Sequence, residues 1–175
     1  MIPILWMVIE TVGSLLAVAC VLRAYGHRVH LNPRNPISLF VSALSDWLVL
    51  PLRRLIAPTR TMDWASVLAA VLVAALTALI GQLLFSRASV PNPVTVLLSA
   101  LIYLGRWTIW LAIGLVLLQA VLSWVNPYAP MAPAIRQLTE PLLAPFRKVL
   151  PAVGGFDLSP LALILLLQIL LMVLA

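Results

Sequence analysis

The residues able to do chemistry in this chain are few, and most of them stand alone. His27-x-x-His30 is the single histidine pair. A transition-metal site needs three or four converging ligands, and this pair has no cysteine beside it and only Asp46 as a nearby acid. It sits in an Arg-rich stretch that reads as a loop, and no metal site is expected from it. Cys20 is the only cysteine, which excludes an internal disulfide and a cysteine-based zinc cluster; it reads as a small apolar residue in a helix. Ser123 and Ser159 have no histidine in their half of the chain to activate them, which removes the usual hydrolase arrangement. Neither a Gly-x-x-x-x-Gly-Lys nor a Gly-x-Gly-x-x-Gly run is present to cradle a phosphate. No catalytic residue, cofactor ligand or metal ligand is assigned, and the chain reads as a non-enzyme.

What remains is a small set of charges in an apolar chain. Of 175 residues 63% are hydrophobic and 9% charged, and the mean hydropathy is +1.12. Soluble domains run at about 45–50% apolar and about 25% charged, so this is an integral membrane composition. The net charge of +6 is spread between long apolar runs rather than gathered on one face, so nucleic acid is not an expected partner. Four runs are long enough to cross a hydrocarbon core of about 30 Å as helices: Ile2–Leu22, Ala65–Phe85, about Thr95–Trp124, and Leu158–Ala175. Nothing basic precedes Arg23, so the first run reads as a retained span rather than a cleaved signal. The six tryptophans fall mostly near span ends, where aromatic belts anchor helices.

The polar segments between spans repeat. Pro51-Leu52-Arg53-Arg54-Leu55-Ile56 lines up with Pro145-Phe146-Arg147-Lys148-Val149-Leu150, and at the same offset Ser45 meets Thr139, Asp46 meets Glu140 and Asp63 meets Asp157. The expected fold is therefore an all-α membrane protein of four transmembrane helices, built as two parallel two-span repeats, residues 1–90 and 91–175. A pseudo-two-fold axis along the membrane normal would relate them. In each connector the apolar residues recur at helical spacing around Arg53 and Arg54, or around Arg147 and Lys148. That pattern predicts a short amphipathic helix at the membrane surface, its basic pair among anionic inner-leaflet headgroups. Pro141 suits the start of such a helix. Gly154-Gly155 permits a sharp turn, after which Asp157 can cap the fourth span as Asp63 caps the second. Nine basic residues lie in the two connectors against Arg87 alone in the link between halves. The positive-inside rule then puts both connectors in the cytoplasm and both termini outside.

Two charges fall inside spans. Glu10 and Arg106 stand at similar depth, roughly 20 Å from the connector ends of their helices at about 1.5 Å per residue. A lone charge at that depth is unfavourable by at least about 2.5–3.5 kcal/mol, so the repeat predicts that they pair between the first and third spans. The rival arrangement has Arg106 reaching for the outer interface and Glu10 protonated.

The second half also carries blocks that resemble a known family. Leu122-Ser123-Trp124-Val125-Asn126-Pro127, then Leu138 through Lys148, then Gly154-Gly155-Phe156-Asp157-Leu158-Ser159-Pro160 are similar in order and spacing to the YggT family. The first half resembles a degenerate copy, retaining Asn35-Pro36 and Pro51-Leu52-Arg53-Arg54. The resemblance implies a small bacterial inner-membrane protein with two copies of a two-span repeat. It also implies an association with osmotic stress, with cell-division gene neighbourhoods and, in plastids, with haem attachment to cytochrome b6. The Cys-x-x-Cys-His run that attaches haem is absent here, so no cofactor is expected. The function expected is a non-enzymatic membrane-organising or assembly factor, the alternative being an ion channel or transporter component acting as an oligomer. Its expected partners are the bilayer, anionic lipids and other membrane proteins, with homo-oligomerisation left open.

Overall fold

The computed structural model describes residues 2–85, 91–149 and 157–174. Among them are six helices and no strand: α1 (Ile2–Arg28), α2 (Pro36–Leu55), α3 (Trp64–Phe85), α4 (Pro93–Val125), α5 (Ala132–Val149) and α6 (Ser159–Val173). Local chemistry sets several of the starts. The Asn35 side chain accepts from the Ile37 amide at 2.9 Å and Asn92 does the same for Val94, each with proline in the first turn, where no N–H is missed.

The expected all-helical class holds, with differences in the connectors. Both connector helices are longer than the predicted stripes and carry prolines inside, Pro51 in α2 and Pro141 and Pro145 in α5. Pro141 does not open α5, which begins at Ala132. Four helices are long and apolar enough to cross a membrane: α1, α2, α3 and α4. The count matches the expectation but the membership differs. The least apolar of the four, α2, was expected only as a surface stripe, whereas α6 has 15 described residues, about 22 Å of helix against a core of about 30 Å. His27 is not in a loop, since α1 runs on to Arg28.

Within the first half α1, α2 and α3 all touch one another, and within the second α4, α5 and α6 do the same. The halves join where α4 packs on α3 and α1. Small residues make the closest seam. Gly13, Ala17 and Cys20 of α1 face Ala70, Ala74, Thr77 and Gly81 of α3. A methyl added at Gly81 would lie 2.7 Å from the Trp6 ring, and one at Gly13 would strike the Thr77 hydroxyl. Helices in an apolar solvent associate through such close backbone approach, because lipid offers no hydrophobic driving force between them. The large apolar side chains instead point outwards, as with Leu15, Leu76, Leu101 and Trp110. Trp6 and Trp107 depart from the belt expectation. Trp6 rests edge-on to Phe85, and Trp107 is buried and stacked on Tyr103 at 5.7 Å.

Candidate functional site

The strongest polar geometry lies at the connector end of each half. In the first, Asp63 stands just before α3 and is completely buried. Its carboxylate accepts from Arg53 Nη2 at 2.5 Å and from the Ser66 hydroxyl at 2.6 Å, with Arg23 Nε 3.9 Å away. Arg23, in the last two turns of α1, donates to Ser45 at 2.9 Å and to Asp46 at 2.7 Å. One network thus ties α1, α2 and the entry to α3. Burial pushes the Asp63 carboxyl up, but the hydrogen bonds from Arg53 and Ser66 and the Arg53 charge outweigh it and hold it below its ordinary value. Asp63 Oδ1 and Arg53 Nε are both buried without a hydrogen-bond partner among the described residues.

The second half repeats the arrangement in a wetter setting. Arg147 donates to Asp157 at 2.8 Å and to Glu140 at 2.6 Å, with its side chain and both carboxylates about 36–48% exposed. Thr139 donates to the Gln119 side chain, as Ser45 accepts from Arg23. Asp157 also takes the Ser159 amide at 2.9 Å at the head of α6. Partial burial raises the Asp157 carboxyl, and the hydrogen bonds from Ser159 and Arg147 more than reverse this. Burial likewise lowers the Arg147 guanidinium, and its two acids raise it above its usual value. In both halves the Arg–Asp pair is ten residues apart in sequence.

Each site residue expected from sequence can now be placed. Arg53 and Arg147 bind acids, while Arg54 and Lys148 have no ion-pair partner among the described residues, so the two members of each basic pair do different things. Gly154 and Gly155 lie outside the described residues. Glu10 is half-buried, Arg106 is exposed, and no ion pair joins them. The expected ion pair is therefore not among the described contacts. His27 contacts the Thr59 carbonyl at 2.9 Å.

Sequence reasoning noticed Ser45, Asp46, Thr139 and Glu140 as repeat matches but assigned them no partner, and it missed Arg23 as the partner of Ser45 and Asp46, Gln119 as that of Thr139 and Arg147 as that of Glu140. The repeat was the usable signal. It also misplaced one turn. Asn32 accepts from the Arg34 amide and Asn126 from the Tyr128 amide, so Asn32-Pro33 is the counterpart of Asn126-Pro127, and Asn35-Pro36 instead starts α2.

The two halves meet around a cleft of about 780 Å³ whose lining includes Tyr25, Arg28, Arg136, Gln137 and Glu140. Three bonds cross the join beside it. The Tyr25 hydroxyl donates to the Leu138 carbonyl at 2.8 Å, and the Gln137 amide donates to the Val29 carbonyl at 2.8 Å and to the His30 carbonyl at 3.3 Å. Below them Ile37, Val41, Leu115, Ile135 and Leu138 form one buried apolar cluster drawn from both halves.

Comparison with known proteins gives a consistent picture. The family model described as CCB3/YggT matches residues 2–84 and 98–175. The chain is 36% identical over 163 residues to the protein named YggT of Escherichia coli K12, covering 92% of this chain and 84% of that one. It is 34% identical over 161 residues to a protein of Vibrio alginolyticus named for the proC 3' region, covering 91% and 87%. A Pseudomonas aeruginosa protein is 31% identical over 156 residues, covering 88% and 79%. No solved structure matches.

Proposed function

Since the chain belongs to the CCB3/YggT family, we propose that it acts without an active site of its own, as a small inner-membrane protein that organises or helps assemble partner membrane proteins under envelope or osmotic stress. The observation that carries this reading is how the polar groups are used. The acids of both connectors are spent on Arg23, Arg53 and Arg147, holding each connector helix against its neighbours. What is left facing outwards is chiefly apolar side chain, with exposed bases such as Arg34, Arg54, Arg60 and Lys148 among the connectors. Such a surface suits lipid and other membrane helices rather than a soluble substrate.

The same reading treats residues 1–90 and 91–175 as tandem repeats, supported by the two-segment family match and by the matched Arg–Asp pairs. The basic residues favour cytoplasmic connectors and outer termini. There Arg54 and Lys148 would each gain about 1 kcal/mol near an anionic leaflet. Purified protein in proteoliposomes tests the role. Co-purifying membrane proteins without ion flux support it. Robust, selective flux would overturn it in favour of an ion channel or transporter component working as an oligomer. Reporter fusions in each connector and at each terminus test the orientation, which fails if the connectors report from outside.

A further inference from the structure

We infer that the cleft between the two halves is a binding site for a phosphate-type anion, held by Arg28 of α1 and Arg136 of α5. This goes beyond the surface attraction assigned above to Arg54 and Lys148 and does not depend on it.

The charge pattern and the shared cavity together point to the cleft. The chain has five acids, and four of them, Asp46, Asp63, Glu140 and Asp157, are engaged by Arg23, Arg53 and Arg147. Arg28 and Arg136 have no carboxylate partner among the described residues, yet both line one cavity of about 780 Å³, each contributed by a different half. Both residues are exposed at the cleft, so an anion entering it would meet a guanidinium from each half. Glu140 also borders the cleft; its carboxylate is bound by Arg147 at 2.6 Å, a guanidinium that it shares with Asp157 at 2.8 Å.

The surroundings hold the pair in place. Tyr25 precedes Arg28 by one helical turn and is tied to Leu138, and Gln137, next to Arg136, is tied to Val29. Both guanidiniums therefore rise from backbone that is already crosslinked across the join, which lowers the ordering penalty on binding. Ala132 and Pro133 also border the cleft, so the positive end of the α5 dipole faces it. Guanidinium forks match phosphate oxygens in a bidentate manner, which makes a phosphate the fitting anion.

A phospholipid headgroup and free inorganic phosphate share that chemistry. Full-length protein in a mild, uncharged detergent would be titrated with phosphatidylglycerol, with phosphatidylcholine and with inorganic phosphate, and occupancy read by native mass spectrometry. The expected result is preferential retention of phosphatidylglycerol. Binding should weaken about tenfold or more in R28Q/R136Q, since each loses a charge-assisted bond, and be unchanged in R54Q/K148Q. R28K/R136K, which keeps charge without the fork, should bind at an intermediate level. If inorganic phosphate alone binds with the same Arg28 and Arg136 dependence, the anion site stands and its ligand is soluble. Wild-type affinity of R28Q/R136Q for both phosphate-bearing probes, or an equal loss in R54Q/K148Q, would overturn the assignment. The Arg54 and Lys148 reading is judged separately, by vesicle association of R54Q/K148Q.

Discussion

Replacing Asp63 with Asn should unsettle the first half far more than Asp157→Asn unsettles the second, although the two residues hold matching positions. Asp63 is fully buried between Arg53 at 2.5 Å and Ser66 at 2.6 Å, with Arg23 at 3.9 Å. Its neutralisation leaves Arg53 without the carboxylate that compensates it, and breaking a buried pair this way is worth about 3–5 kcal/mol. Asp157 is 40% exposed, and an exposed pair contributes only about 0–1 kcal/mol. For a chain of this size the Asp63→Asn loss corresponds to a melting-temperature drop of roughly 6–20 °C. Thermal melts followed by tryptophan fluorescence in detergent would read it. The pH dependence has a definite sign. Because the folded-state pKa of Asp63 lies below its ordinary value, its contribution is complete above the unfolded carboxylate value of about 4 and disappears as pH falls through the lower folded value. Wild-type protein should therefore lose stability below about pH 4, and Asp63→Asn should lack that component. Pairing also predicts that Arg53→Gln with Asp63→Asn falls short of the sum of the two single losses. A melt within about 2 °C of wild type for Asp63→Asn, or equal losses at Asp63 and Asp157, would refute the argument from burial.

Three further outcomes follow from the geometry. Gly13→Val should destabilise by about 1–3 kcal/mol by forcing α1 off Thr77, with partial recovery on adding Thr77→Ala, whereas Gly114→Ala, where an added methyl meets nothing within 4 Å, should be neutral or gain up to about 1 kcal/mol; both are read from melts. Glu10→Gln and Arg106→Gln should act independently, the double variant matching their sum within about 0.5 kcal/mol in membrane abundance or melting, since no ion pair joins them. Tyr25→Phe removes the hydroxyl that reaches the Leu138 carbonyl and should lower stability by about 0.5–1.5 kcal/mol, measured as a shift in melting temperature.

The spans α1, α3 and α4 were legible because each is one long apolar run, and lipid leaves such a run little choice but helix. The connector helices were legible only in part. Stripe periodicity identified their basic C-terminal portions, but Pro141 read as a helix start, and the helices continue through Pro51, Pro141 and Pro145. The Asn35-Pro36 cap was available as a start signal for α2 and was absorbed instead into the family match. At the site, the repeat exposed the acids and bases but not who meets whom. Arg23 lies in α1, well before the repeated block, and nothing in sequence says that it folds back over Ser45 and Asp46. Glu10 and Arg106 show the converse. Their similar depth could be computed from helical rise, but whether two side chains close to ion-pair distance depends on how α1 and α4 pack, through residues such as Ala17, Ala100 and Trp107.

The ten-residue spacing of the Arg–Asp pairs bears on how the chain is made. A loop of about that length closes in roughly 10–100 ns, while a ribosome adds only about 5–20 residues per second. Each elbow can therefore set as soon as its own residues emerge, long before the other half exists. The bonds that join Tyr25 to Leu138 and Gln137 to Val29 beside the cleft, by contrast, span separations of 113 and 108 residues and must wait for α5. Synthesis should thus shape the two elbows in succession, with the bonds from α5 back to the end of α1 made last. Halves translated from separate messages would arrive with their elbows already closed.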